Sequence, residues 1–294
     1  MTISDIEEQE IEEHEIFKQA LLYPYTGIIP TGYKLIKSVH NKSGLDAYVF
    51  KKDDNIIIAY EGTNTHSAKD LINDNQISKG KVSKQCQEGR KLCQEIKETY
   101  PVARIINCGY SLGGGISGYT AALEHTEAVN FSPWGARELL MKTNEPFDVT
   151  RIVNYCNIRD GISSKNADKQ IGFCYAIETK SDVNLRQIVP HHLLHNQGDL
   201  RNRKFVTKQE LKEMYYETRE KDKNVKKKHK NVKKKHNNHI SSSRCVGSYP
   251  VSGYTRDDGT KVSGYVRTCG AAHNSKKLEN MTEAEIDELL DRMV

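Results

Sequence analysis

Gly109-Tyr110-Ser111-Leu112-Gly113 sets one serine between two glycines, directly after the apolar run Ile105-Ile106-Asn107-Cys108 and directly before Gly114, Gly115 and further small residues. This Gly-x-Ser-x-Gly pattern in a strand–turn–helix context is the signature of a nucleophile elbow. A turn that sharp crowds the Cβ atoms of its neighbours, so glycine is required two positions before and two after. The turn lifts the hydroxyl above the sheet edge, beside a helix N-terminus whose N–H groups can stabilise an oxyanion.

A serine hydroxyl attacks well only when a base takes its proton, and that base needs an orienting carboxylate. On such an elbow the chain order is serine, then Asp or Glu, then histidine. Arg151-Ile-Val-Asn-Tyr-Cys-Asn-Ile158 reads as a second strand, and Arg159-Asp160-Gly161 follows it. Asp160 is therefore the expected orienter; its alternative is a solvated turn Asp before Gly. A third strand-like run, Phe173-Cys-Tyr-Ala-Ile-Glu178, precedes Pro190-His191-His192-Leu193-Leu194-His195-Asn196-Gln197. Three imidazoles are thus available as the base. His191 and His195 are spaced to share a helix face, as a metal pair would be, but no Glu follows His191 in the His-Glu-x-x-His form. No metal and no organic cofactor is expected. His14, His40, His66, His125 and the tail histidines are expected to have no catalytic role. One oxyanion donor is expected at the N–H of Leu112. The second is expected at Thr63, in the Glu61-Gly62-Thr63-Asn64 loop after the strand Asn55–Tyr60, where Gly62 permits close backbone approach.

The run Ile57-Ile-Ala-Tyr-Glu-Gly-Thr63, then Asp70-Leu-Ile-Asn-Asp74, then the elbow, resembles the class 3 lipase family, and more narrowly the bacterial lipase-like group of the α/β-hydrolase superfamily. Val129-Asn-Phe-Ser-Pro-Trp-Gly135 is similar to the family's next strand, which ends in a small-Pro-x-Gly turn. The family's late histidine commonly stands in a His-x-Leu-x-Asn-like context. His192-Leu-Leu-His-Asn196 matches that spacing, so the resemblance implies His192 as the base, with His191 and His195 as alternatives. The sequence departs from the family at Glu61, where Arg is usual, and at Gln197, where an aromatic is often seen. The resemblance covers roughly residues 17–206.

The surrounding elements must position these groups. Phe17, Ala20 and Leu21 recur at helical spacing within a helix expected over 6–22. Asp46–Lys52 and Asn55–Tyr60 read as a hairpin across a Lys-Asp-Asp turn. Val82, Cys86, Gly89, Cys93, Ile96 and Tyr100 mark an amphipathic helix that Pro101 ends. Helices are expected over 116–127 and 136–147, alternating with strands at 104–108, 128–132 and 152–158. Those strands are apolar at successive positions, as strands covered on both faces are. The fold class expected is α/β: an α/β-hydrolase with a mostly parallel central sheet, a basic linker and a small C-terminal hairpin and helix. The divisions expected are an acidic segment at 1–16, the catalytic domain at 17–206, a charged helix and Lys-rich linker at 207–240, and a repeat module at 241–294.

The formal charge of +5 is local in origin. Residues 221–239 carry nine Lys and one Asp, whereas residues 1–16 carry seven acidic side chains and no Lys or Arg. Lys223-Asn-Val-Lys-Lys-Lys-His229 repeats immediately as residues 230–236. So basic a duplication is solvated, either as a linker or as an attachment to an anionic partner through Lys226, Lys227, Lys228, Lys233, Lys234 and Lys235. An anionic membrane surface suits a lipid hydrolase. Nucleic acid suits the tract less, since no aromatics interleave the lysines. No run is long and apolar enough to span a bilayer. The acidic start lacks a basic n-region and an apolar h-region, so a cytoplasmic protein, or one exported without a cleavable signal, is expected. The seven cysteines form no Cys-x-x-Cys pair. Cys86 and Cys93 would lie about 10 Å apart on one helix face, too far for a bridge.

Val251-Ser-Gly-Tyr-Thr-Arg256 recurs as Val262-Ser-Gly-Tyr-Val-Arg267 across the turn signal Asp257-Asp-Gly-Thr260, which predicts a hairpin. Cys245, Cys269 and His273 are too few for a zinc site. Thr282-Glu-Ala-Glu285 is a capping box before a short amphipathic helix. These features lead to a serine hydrolase acting on a carboxylic ester. Lipid as substrate follows from the resemblance, with lipase, phospholipase and thioesterase all open. The rival is a non-catalytic hydrolase-fold module tethered by its basic tail to a membrane, a nucleic acid or a larger assembly.

Overall fold

The computed structural model describes residues 3–62, 82–179, 194 and 197–221, together with strand residues 248–251, 254–255, 261–262 and 265–268. They fall in two compact units, one within 1–222 and one within 223–282. The first unit is built on an eight-stranded sheet whose spatial order follows the chain, β1 to β8. The strands are β1 (Lys34–His40), β2 (Asp46–Lys52), β3 (Asn55–Tyr60), β4 (Arg104–Tyr110), β5 (Glu127–Phe131), β6 (Ile152–Asn157), β7 (Phe173–Ile177) and β8 (Lys204–Val206). β1–β2–β3 pair antiparallel, β3 to β7 run parallel, and β8 returns antiparallel on β7. This is the mostly parallel α/β sheet expected from the alternating strand and helix patterns.

The strand order dictates where the helices lie. Crossovers between parallel strands are right-handed, and here every crossover from β3 to β7 steps in the same direction. All the connecting segments must therefore fall on one face. α2 (Lys84–Thr99), α3 (Leu112–Glu124) and the short α4 (Arg137–Met141) do so. Cys86, Cys93, Ile96, Ile116, Ala121, Leu139 and Leu140 form one core with Ile56, Ile58 and Tyr60 of β3. Ile57 and Ala59, which point the other way as strand alternation requires, belong to a second core.

That second face is covered by the N-terminal helix α1 (Ile3–Thr26), which ends at Gly27 with φ 68°. Phe17, Ala20 and Leu21 of α1 are buried against Ile106, Cys108, Val129 and Phe131. Burial of side chains such as Phe17 and Leu21 contributes about 1.5–3 kcal/mol each. His14, also buried, bonds the Tyr155 hydroxyl on β6 at 2.7 Å. α1 is longer at both ends than the span 6–22 expected from its apolar positions.

Two expectations change in detail. The helix expected over 136–147 stops at Met141, because Glu145 is drawn into a two-pronged pair with Arg90 at 2.7 Å per bond and Pro146 follows. The charged helix set apart at 207–240 spans 208–221 where described, and it packs on the sheet. Leu211 joins a core with Cys156, Cys174, Ala176 and Val206, and Tyr215 is buried as well. Chain packing therefore continues past Val206. Cys86, Cys93, Cys108, Cys156 and Cys174 are buried and unbridged.

In the second unit β9 (Ser248–Val251) pairs with β12 (Tyr265–Thr268), and β10 (Tyr254–Thr255) with β11 (Lys261–Val262). Both antiparallel pairs keep one register, so Tyr254 faces Val262 and Tyr265 faces Val251. The expected hairpin is present, and each repeat sets its Tyr against the other repeat's Val. The Lys blocks, Cys245, Cys269, His273 and the 282–293 helix lie outside the described residues.

Candidate active site

Ser111 stands between β4 and α3 with φ 55° and ψ −122°. A non-glycine residue rarely takes positive φ, and such strain persists only where the surroundings over-determine it. The surroundings here are backbone. The Ser111 N–H donates to Phe131 O at 3.2 Å, and its carbonyl accepts from Gly114 N (3.0 Å), Gly115 N (3.2 Å) and Trp134 N (3.0 Å). The elbow is thus held from β4, α3 and the turn after β5 together.

The flanking glycines are needed for space. A Cβ on Gly109 would lie 2.1 Å from Gly113 O, and one on Gly113 would lie 2.2 Å from Tyr60 O at the end of β3. Gly62 is equally confined, since its Cβ would meet Tyr110 Cδ1 at 2.8 Å and Tyr110 O at 3.0 Å. The β3 loop therefore lies backbone-to-backbone against the elbow. Leu112 opens α3, and the first N–H groups of a helix have no intrahelical acceptor. The expected donor Thr63, one residue past Gly62, lies outside the described residues.

Asp160 lies just past β6, two strands from β4, and is buried. Its Oδ1 accepts from Ile162 N at 3.0 Å, and its Oδ2 accepts from Ser163 N at 3.0 Å and Ser163 Oγ at 2.5 Å. It is not the solvated turn residue that its Asp-Gly context allowed. Tyr110, next to the serine, has its phenol pushed well above the usual range, first by burial and then by the Asp160 charge. The carboxylate therefore acts electrostatically on the residue adjoining Ser111.

His191, His192 and His195 lie outside the described residues, but two residues of their segment do not. Leu194 is buried, and the Tyr110 hydroxyl bonds its backbone. Gln197 is wholly buried and donates through Nε2 to Ser132 Oγ at 3.1 Å. Glu61, where the resemblance expects Arg, donates its N–H to Asp46 O at 3.0 Å. With Asp46 it contributes, after burial, to a Tyr48 phenol pushed up to about 12. Sequence reasoning noted Gln197 only as a departure from the resembled family, and missed Ser132 and Asn157 as parts of this region. Of those two, Ser132 carried a signal, as the small residue before Pro133. Among the described residues no group of acids, histidines and cysteines is arranged to hold a metal ion.

A parallel sheet carrying a strained serine at a strand-to-helix elbow defines an α/β-hydrolase. Residues 31–151 match the sequence profile of a phospholipase-like family, the Tle-like phospholipase domain. The first unit fits an α/β-hydrolase fold, and the match over 31–151 supports a lipase-like family. No curated protein sequence matches it. Among solved structures it is similar to the lipase of Rhizomucor miehei in its propeptide complex, with 17% identity, 64% of this chain and 79% of that one covered, and a TM-score of 0.42. A triacylglycerol lipase from Penicillium expansum gives 12%, 58%, 80% and 0.41 for the same quantities. Lipase II from Rhizopus niveus gives 14%, 64%, 92% and 0.40. At these scores the overall likeness is loose, and the fold is read from the sheet and the elbow. No helix among the described residues is long and apolar enough to cross a membrane.

Proposed function

We propose that the protein hydrolyses carboxylic esters of lipids, phospholipids foremost, through a Ser-His-Asp triad and an acyl-enzyme. The observation that carries this reading is Ser111 at φ 55°, ψ −122°, fixed between β4 and α3. The match to a phospholipase-like domain supports lipid ester hydrolysis as the general chemistry. Ser111 Oγ attacks the acyl carbon while His192 takes its proton; His191 and His195 are the alternative bases. Asp160 holds the imidazole in the tautomer that accepts from serine. The N–H groups of Leu112 and Thr63 receive the oxyanion, and the proton returns to the leaving alkoxide. Water, activated by the same imidazole, then frees the acid and restores Ser111. No step needs a metal or an organic cofactor.

The experiment is labelling with a fluorophosphonate probe, followed by hydrolysis of a panel of diacylphospholipids, triacylglycerols and acyl thioesters. Wild-type chain should label and Ser111→Ala should not, with phospholipid acyl esters cleaved fastest. A folded wild type that neither labels nor cleaves any ester refutes the assignment. In the same reading the Lys226–Lys228 and Lys233–Lys235 blocks, in the linker and tail that follow the catalytic domain, hold the enzyme to anionic membrane. Each basic residue near such a surface contributes about 1 kcal/mol. Replacing the six by Gln should abolish binding to vesicles containing phosphatidylserine, and unchanged binding removes the idea.

A further inference from the structure

Gln197 joins three segments that carry the proposed chemistry. Its Nε2 donates to Ser132 Oγ at 3.1 Å, and its Oε1 accepts from Asn157 Nδ2 at 3.5 Å. Its own N–H donates to Leu194 O at 3.2 Å, and it forms an antiparallel bridge with Thr179. Asn157 Nδ2 also reaches Thr179 Oγ1 at 3.0 Å, so the bridge is tied to β6 from both sides.

Each partner belongs to a turn that holds a reacting group. Ser132 has φ 44°, and it follows Phe131, whose carbonyl accepts the N–H of Ser111 at 3.2 Å. The Ser132 N–H donates to Tyr155 O at 2.8 Å, which fixes the turn to β6. The Asn157 carbonyl accepts the N–H of Asp160 at 2.9 Å and the Ser164 hydroxyl at 2.6 Å. One wholly buried amide thus spans the nucleophile turn, the carboxylate turn and the segment bearing the histidines.

The amide has a direction. Asn157 offers an N–H donor, so Gln197 must present its oxygen to β6 and its nitrogen to the β5 turn. The Asn157 end sets the orientation, because reversal would turn the Gln197 NH2 onto the Asn157 NH2, whereas the Ser132 hydroxyl could serve either way. An aromatic here, as the resembled family often has, could fill the space but could not set this direction.

We propose that Gln197 is a positioning residue that ties Leu194 and Thr179 to the turns after β5 and β6, the turns that hold Ser111 and Asp160. The proposal rests on the hydrolase reading for its catalytic consequence, while its structural half stands without it. Leucine has nearly the volume of glutamine and no hydrogen bonds, so Gln197→Leu removes the tie and keeps the bulk.

The test compares the full-length wild type, Gln197→Leu and the pair Ser132→Gly with Gln197→Leu. Glycine suits φ 44°, and with it no hydroxyl is left facing leucine. The readouts are kcat and KM for ester hydrolysis, the pH–rate profile, Tm, and hydrogen exchange of the peptides spanning 190–199 and 104–116. Gln197→Leu should lower kcat about 100-fold, the scale of a 1 Å misplacement, with KM within about threefold. The acidic limb of its pH profile should move, a readout that a purely structural role for Gln197 would leave in place. Exchange in 190–199 should quicken about tenfold with 104–116 unchanged, since the tie closes only the first. The pair should recover Tm but not kcat. Wild-type kcat in folded Gln197→Leu, or kcat that returns with Tm in the pair, overturns the proposal. A wild type without esterase activity defeats the hydrolase reading alone. Exchange then decides: quickened exchange in 190–199 upholds the tie, and unchanged exchange rejects it. If Gln197→Leu does not fold, Gln197→Asn keeps the amide but shortens its reach. It should show the same kcat loss, and wild-type kcat there also overturns the proposal.

Discussion

Gly113→Ala is the sharpest test of the elbow. The added methyl would stand 2.2 Å from Tyr60 O, 2.5 Å from Glu61 O and 2.8 Å from Tyr60 C. All three are backbone atoms at the end of β3, and real Cβ contacts essentially never fall below 3.0 Å. Relief requires the start of α3 and the end of β3 to separate by about 1 Å. β3 is bonded to β2 on one side and β4 on the other, so it yields little. Overpacking of this kind typically costs about 1–3 kcal/mol, and we expect the upper end because no flexible side chain absorbs it. The same movement displaces the Glu61–Gly62 loop from Ser111, so a loss of about 100-fold in reactivity follows. The control is Gly118→Ala in the same helix. Its Cβ meets Ile171 Cδ1 at 3.2 Å and Asn130 Nδ2 at 3.6 Å, contacts that a side chain can relax. Ala in place of Gly inside a helix gains about 1 kcal/mol, so this variant should stay near wild-type stability. Urea unfolding gives the stabilities, and the rate of fluorophosphonate labelling at Ser111 gives reactivity. If Gly113→Ala unfolds at the urea concentration of Gly118→Ala and labels at the wild-type rate, the contact between elbow and β3 is not as described.

Asp160→Asn keeps one acceptor but turns an NH2 toward donors, so it should cost about 1–3 kcal/mol in urea unfolding. It should also slow labelling by about 10³–10⁴-fold if the carboxylate orients the base; an unchanged rate would make Asp160 a purely structural turn residue. His14 has its pKa lowered from 6.5 to about 3, first by burial and then by Arg203 and Arg104. The unfolded chain therefore binds a proton that the folded one refuses. Stability present above pH 6.5 should be lost as pH falls toward 3, with a slope approaching 1.4 kcal/mol per unit that His14→Gln flattens. A variant with the wild-type slope would assign acid sensitivity elsewhere. Leu211→Ala should destabilise the first unit by about 2–5 kcal/mol, and truncation after Val206 should do worse; full stability of the truncated chain would show that the 208–221 helix is dispensable.

The elbow and the β2–β3 hairpin were legible because local sequence decides them. Two glycines around a serine leave few backbone options, and two apolar, β-branched or aromatic runs are joined by a short polar turn within the fifteen residues from Asp46 to Tyr60. β1 was missed because its ladder slips between Leu35 and Lys37, which breaks the alternation that marks a strand. The 208–221 helix was set apart from the catalytic domain because charge surrounds a narrow stripe of Leu211, Tyr215 and Thr218, whose burial depends on β6 and β7. Asp160 was legible from strand-end position and chain order. Its burial and three hydrogen bonds came from a turn that sequence cannot score. Gln197 was the least legible, since its partners lie 65 and 40 residues away and no period links them.

The one-directional strand order leaves a helix made before the sheet waiting for a surface made late. Phe17 and Leu21 rest on strands that include β5, which is not complete until Phe131 is synthesised. At about 5–20 residues per second, the interval on the ribosome is roughly 5–20 s. Throughout that time the nascent chain presents the bare apolar stripe of α1. Whatever protein first meets the emerging chain, a folding helper or an export receptor, is offered that stripe before the sheet can claim it. Proteolysis of chains stalled before and after residue 131 would time the handover.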